Sequence, residues 1–209
     1  MRISRVRMAS PTTTKPTMKE RILETADRLF YLRGIRAIGV DTIAAEIGIS
    51  KRTLYNHFPS KDALISAYLE RRFVQPRASD KPPAEQILAT FDSLERRFSA
   101  KDFRGCPFVN AVAEIGPENR SVRKIAIAFK ESRRLWFRNL LVQLGIADPD
   151  GLATQLVLLV DGSIAQDLVR DDPAMARAAK EAAKVLLSGA GVRLDDAQSG
   201  SQPKSRTKG

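Results

Sequence analysis

Residues Gly39–Leu64 read GVDTIAAEIGISKRTLYNHFPSKDAL. Ile43, Ala44 and Ile47 recur at helical spacing, and Gly48 stops that run. Asp41 precedes the run and is read as its N-cap. Ser50 caps a second helix, which carries Leu54 and Phe58 four residues apart on one face and which Pro59 stops. Ser60 caps a third element, with Leu64, Ala67 and Tyr68 on one stripe. A helix closed by glycine, a turn of about three to four residues and a second helix make a helix-turn-helix. In that arrangement the second helix offers its first residues to the major groove of DNA.

The leading turn suits that task. Lys51 and Arg52 can donate to guanine O6 and N7, and Thr53 can use its hydroxyl or its methyl. A helix start also presents free N–H groups and a positive dipole end to phosphate. Ser60 and Lys61 repeat the arrangement at the next helix start. Tyr55 and His57 can donate to phosphate from the flank, while Leu54 and Phe58 bury the opposite face. Plainer roles exist for each: Ser50 and Ser60 as caps, Lys51 and Arg52 as a solvated face, His57 as an internal donor.

The totals agree with a polyanionic partner. Lys and Arg number 35 against 24 Asp and Glu, a net charge of +11, which favours nucleic acid or an anionic membrane surface. Part of that charge lies in the tails, at Arg2, Arg5, Arg7 and Lys15 and at Lys204, Arg206 and Lys208. The single cysteine, Cys106, excludes an intrachain disulfide and suits a reducing compartment. No apolar segment follows the N-terminal arginines, and the densest apolar run, Leu156–Val160, is too short to cross a bilayer. A soluble cytoplasmic protein is expected. One histidine and one cysteine leave no metal cluster, and neither a glycine-rich phosphate loop nor a G-x-S-x-G elbow occurs. No enzyme, metal or cofactor is expected.

Between the tails the pattern is helical, so the fold class is all-α. Residues 1–17 read as a disordered basic arm, with Met8 or Met18 as alternative starts, and 195–209 as a disordered tail. Thr17 and Glu20 have capping-box spacing, followed by Ile22, Ala26, Leu29 and Phe30. Pro76, Pro82 and Pro83 suggest a boundary, giving domains 18–75 and 76–194. Beyond them, Ile87, Phe91, Leu94 and Phe98 share a face, as do Ile125, Phe129, Trp136 and Leu140 in a helix over roughly 121–144. Asp148-Pro149 and Asp172-Pro173 open the last two helices. Those combine Leu152, Leu156 and Leu159 with Ala153, Gly162, Ala165, Ala178 and Ala182, a mixture that serves a dimer seam or a monomer core.

From about Ile22 to Tyr68 the chain resembles the DNA-binding signature of the tetracycline-repressor (TetR/AcrR) family of bacterial regulators. The resemblance rests on Thr42-Ile43-Ala44, Gly48, Ser50, Thr53-Leu54-Tyr55, His57-Phe58 and Ser60-Lys61. It implies that Thr42, Tyr55, His57 and Lys61 contact phosphate, and that Lys51, Arg52, Thr53 and Asn56 face bases or nearby phosphates. It also implies an N-terminal three-helix helix-turn-helix domain ahead of a helical dimerisation and effector-binding domain. The function it implies is a repressor, homodimeric on double-stranded palindromic DNA and released by a small-molecule effector. Arg104–Glu114, RGCPFVNAVAE, resembles a stretch found in one subset of these regulators. Aromatic residues concentrate in the central helices, where they line an effector cavity or form an ordinary core. The candidate effector set is Phe91, Phe103, Cys106, Asn110, Phe129, Arg133 and Trp136. The alternative is an architectural DNA-binding protein that responds to no ligand.

Overall fold

Thr17 starts the first helix with a complete capping box: its side chain accepts from the Glu20 N–H, and Glu20 reaches back to the Thr17 N–H at 2.7 Å. The computed structural model describes residues 15–76, 79–117 and 119–194. The basic arm over 1–14 and the tail over 195–209 lie outside them. Among the described residues all regular structure is helical: α1 (Met18–Arg33), α2 (Val40–Ile47), α3 (Lys51–His57), α4 (Lys61–Arg72), α5 (Pro83–Phe98), α6 (Pro107–Ile115), α7 (Arg120–Gln143), α8 (Pro149–Arg170) and α9 (Ala174–Gly189).

Packing divides the chain into two units, 1–68 and 69–209. The division falls inside α4, not at the proline-marked 75/76 boundary. Prolines mark where a helix must stop, and α4 runs without a break to Arg72. In the first unit, Ile22, Ala26, Leu29 and Phe30 of α1 are buried with Ile43, Leu54, Leu64 and Tyr68. Ile35 and Ile38, from the irregular stretch between α1 and α2, are equally buried. Phe30 meets Tyr68 edge-on, with ring centroids 5.6 Å apart.

Two helix starts differ from expectation. Asp41 does not cap α2. The helix begins at Val40 with Gly39 at the cap, and Asp41 lies in the first turn, where a negative charge favours the helix dipole. At α9 the cap position is Pro173, which has no side-chain acceptor, while Asp172 accepts from the Ala174 N–H at 2.9 Å. The long α7 spans Arg120–Gln143 and is capped by Asn119, which accepts from the Val122 N–H at 3.1 Å.

The second unit is organised around α5, α7, α8 and α9. Ile87, Phe91, Leu94 and Phe98 of α5 join Phe137, Leu140 and Leu141 of α7, Leu152, Ala153, Leu156 and Val160 of α8, and Ala176, Ala179, Ala183 and Leu187 of α9. Alanines on α9 let the backbones approach closely, so large side chains from α5 and α8 fill the space. Ion pairs pin the rim. Lys180 holds Asp92 at 2.6 Å, Arg177 holds Glu95, and Lys130 holds Asp161 at 2.5 Å. By length and composition α8 could cross a membrane, although Leu156–Val160 alone could not; its Leu152, Ala153, Leu156 and Val160 are committed to this core.

Candidate functional site

The turn between α2 and α3 is built by Gly48. Its φ of 70° is left-handed, and its N–H donates to the carbonyls of Ala44 and Ala45. α3 then begins under Ser50, whose Oγ accepts from the Thr53 N–H at 3.0 Å and pairs with the Thr53 hydroxyl at 2.9 Å. Leu54, 0% exposed, and the buried Phe58 anchor α3 from behind. α1 braces α2: Arg28 bonds Glu46 at 2.7 Å, and Arg21 donates to the Ile47 carbonyl at 3.4 Å.

The anchors turn the remaining side chains outward. Thr42, Ser50, Lys51, Arg52, Tyr55, Asn56 and His57 are exposed, and Thr53 is half-buried. Arg52 and Asn56 make no hydrogen bond or ion pair with any described residue. Lys51 differs, because its Nζ holds Asp41 Oδ2 at 3.0 Å across the turn. That hydrogen bond, and then the Asp41 charge, raises the Lys51 ammonium above its ordinary value, so Lys51 is positive throughout the working pH range. An exposed pair of this kind is weak and yields readily to phosphate. Lys61 is half-buried and donates to the Ile35 carbonyl at 2.7 Å. It therefore holds the α1–α2 connection as well as lying beside this face. Neither the Asp41–Lys51 pair nor the Lys61–Ile35 bond was foreseen from the sequence, since both join residues at separations with no periodic signal.

The effector candidates fall into separate places. Phe91 is core, packed in the interior with Leu94 and Phe98, and Trp136 packs on the edge of that core, tilted against Phe137 at 5.0 Å. Phe103 lies against Phe98 at 5.0 Å, with Arg97 over its face at 5.8 Å. Cys106 is a buried free thiol, and Asn110 donates to the Arg104 carbonyl at 2.6 Å, closing the loop before α6. Phe129 stacks on Phe108 at 3.8 Å and 11°, Phe73 meets both rings edge-on, and Arg133 lies over Phe129 at 5.8 Å. Phe73, Arg97 and Phe108 are absent from the expected set, because the segment just after α4, the end of α5 and the start of α6 bring them in from distant parts of the sequence.

Residues 22–68 match the family model described as bacterial regulatory proteins, tetR family. The solved structure of SAV143 from Streptomyces avermitilis is 32% identical, superposes with a TM-score of 0.76, and the match covers 85% of this chain and 100% of that one. SCO4454 of Streptomyces coelicolor, a TetR-family transcriptional regulator, is also 32% identical, with a TM-score of 0.73 and coverage of 82% and 95%. The HTH-type transcriptional regulator YerO of Bacillus subtilis is 31% identical over 141 residues, 61% of this chain and 47% of YerO, so the match spans about half of that relative. The helix-turn-helix geometry, the likeness to the two Streptomyces structures over nearly their whole length and the family match agree: the chain belongs to the tetR family of DNA-binding transcriptional regulators.

Proposed function

We propose that the chain is a homodimeric cytoplasmic repressor that occupies a palindromic operator and leaves it when a small molecule binds the second unit. Residues 18–75 would hold the DNA-binding function, and residues 76–194 would hold the effector and the dimer contact. The observation that carries the DNA half is the exposed Arg52, without a partner among the described residues, in the leading turn of an α3 fixed from behind by Leu54 and Phe58. Lys51, Thr53, Tyr55 and Asn56 would share the reading and phosphate contacts, with Thr42, Ser50, His57 and Lys61 on phosphate.

The dimer contact is supported by what the protomer leaves uncovered. Leu152 and Leu156 are spent on the protomer's own core. The outer face of α8 carries Leu158, Gly162, Ala165 and Val169 at i, i+4, i+7 and i+11, and α9 exposes Ala178 and Val185. Leu158 is 64% exposed, Val169 85% and Val185 71%. Small residues beside large aliphatics suit a helix-to-helix seam related by a two-fold axis.

Two-fold symmetry sets two α3 helices about 34–36 Å apart on a palindrome. An effector that favours a different spacing would shift the population off DNA. Selection of bound fragments from a random DNA pool tests this. Enrichment of a two-fold symmetric sequence is expected, and equal retention of all fragments would replace the reading with an architectural one.

A further inference from the structure

Arg133 stands one helical turn after Phe129 on α7, half-buried, with its guanidinium 5.8 Å from the Phe129 ring centroid. Arg97, near the end of α5, lies equally far over the face of Phe103. Neither arginine donates to a carboxylate or a carbonyl among the described residues. Five carboxylates of α5, α7 and α8 are engaged elsewhere: Asp161 with Lys130, Glu131 and Asp150 with Arg134, Glu95 with Arg177, and Asp92 with Lys180. Burial pushes the Arg133 guanidinium below its ordinary value, and the positive charge of Arg97 pushes the same way, against the opposing influence of Cys106 and Asp161.

A partly desolvated guanidinium beside a like charge is unfavourable unless an anion joins it. Its planar fork matches a carboxylate with two parallel hydrogen bonds. The wall beside it is flat and apolar, a stack of Phe129 on Phe108 with Phe73 edge-on to both. We propose that Arg133, backed by Arg97, anchors an organic carboxylate whose flat or apolar body lies along this aromatic wall. The inference rests on the effector reading above and gives that effector a chemical class. It also assigns Arg97, which the sequence pattern left out.

The test uses the full chain and two pairs of matched probes, 4-phenylbutyrate with 4-phenylbutanamide and octanoate with octanamide. Trp136 is the sole tryptophan and lies three residues beyond Arg133, so its fluorescence reports binding. Each acid should bind about 10- to 100-fold more tightly than its amide, the range expected of a charge-assisted pair. The aryl and alkyl arms show whether a flat body is preferred. Arg133→Gln should remove the acid preference while leaving the weak amide binding, and Arg97→Gln should reduce it by a smaller factor. Should Arg133→Gln melt early, Arg133→Lys keeps the charge without the fork and should lose several-fold of the preference. Equal binding of acid and amide, no binding of either at millimolar concentration, or a preference unchanged in Arg133→Gln and Arg133→Lys would overturn the proposal. Failure of the effector reading has a different signature: an Arg133-dependent preference for the acid with no change in operator affinity leaves the anion site standing. Conversely, release from DNA by a neutral molecule, unaffected by Arg133→Gln, removes the anion and keeps the effector.

Discussion

Lys51 and Arg52 are neighbours in one helical turn, yet they start from different states. Lys51 must exchange Asp41 for phosphate or base, while Arg52 has no partner among the described residues to release. Arg52→Ala should therefore cost about 1–3 kcal/mol on the selected operator and relax one base position. Binding titrations on single-base operator variants check this, and a uniform loss across sequences would make Arg52 a phosphate contact. Asp167 on α8 is a different kind of residue. It is 3% exposed, and its Oδ1 has no hydrogen-bond partner among the described residues. Burial raises its carboxyl above the ordinary value of 3.8, and the charges of Asp171 and Asp172 add to the effect. A folded-state value above the unfolded one means that its contribution is fully present below the unfolded value. That contribution is lost as pH rises through the folded one. Asp167→Asn should accordingly gain about 1 kcal/mol at pH 7 and flatten the fall in stability above about pH 4. Denaturant melts at pH 4 and pH 7 measure both, and an unchanged pH slope would refute the assignment.

At the level of elements, local chemistry is what the sequence makes legible. Thr17, Ser50, Ser60 and Asp148 cap helices as their residue types predict, and Gly34 and Gly48 close α1 and α2. Asp41 reads as a cap because an N-cap and a first-turn acid two residues further on look alike in sequence, and only the backbone at Gly39 distinguishes them. The buried Ile35 and Ile38 are illegible as core in the sequence, because an irregular segment has no period to betray its buried side. Phe91 reads as an effector candidate for the converse reason: a run of aromatics at helical spacing does not say which neighbour it meets, and Phe91 packs in the core. The interaction of Arg133 with Phe129 was within reach of i, i+4 reasoning, whereas that of Arg97 with Phe103 depends on the loop after α5. Two substitutions probe the recognition element itself. Leu54→Ala should destabilise the first unit by about 2–5 kcal/mol, because a fully buried side chain leaves a cavity. Gly48→Ala should cost about 1–2 kcal/mol, since the new Cβ meets no described residue beyond its chain neighbours within 4 Å and only the left-handed backbone resists. Thermal or denaturant melts read both effects, and a Gly48→Ala chain as stable as the parent would mean that the turn is not left-handed.

For the whole molecule, a single α3 with one exposed arginine offers few base contacts, so specificity in the proposed repressor must come from two copies at a fixed separation. The uncovered aliphatics on α8 and α9 are where that separation would be set. Leu158→Glu places a carboxylate in the seam, and the two-fold axis repeats it on the partner face, so both desolvation and like-charge repulsion oppose association. Because Leu158 is already 64% exposed in the protomer, the substitution should leave protomer stability nearly unchanged. Sedimentation should show a dimer for the parent chain and a monomer for Leu158→Glu at micromolar concentration. Operator affinity should fall by at least about 100-fold as the two half-sites lose their linkage, while binding to an isolated half-site stays the same. Val185→Glu, on α9, should behave alike if the two helices form one continuous seam. A Leu158→Glu chain that remains dimeric and holds the palindrome at parental affinity would move the dimer contact to another face, and the source of the half-site spacing with it.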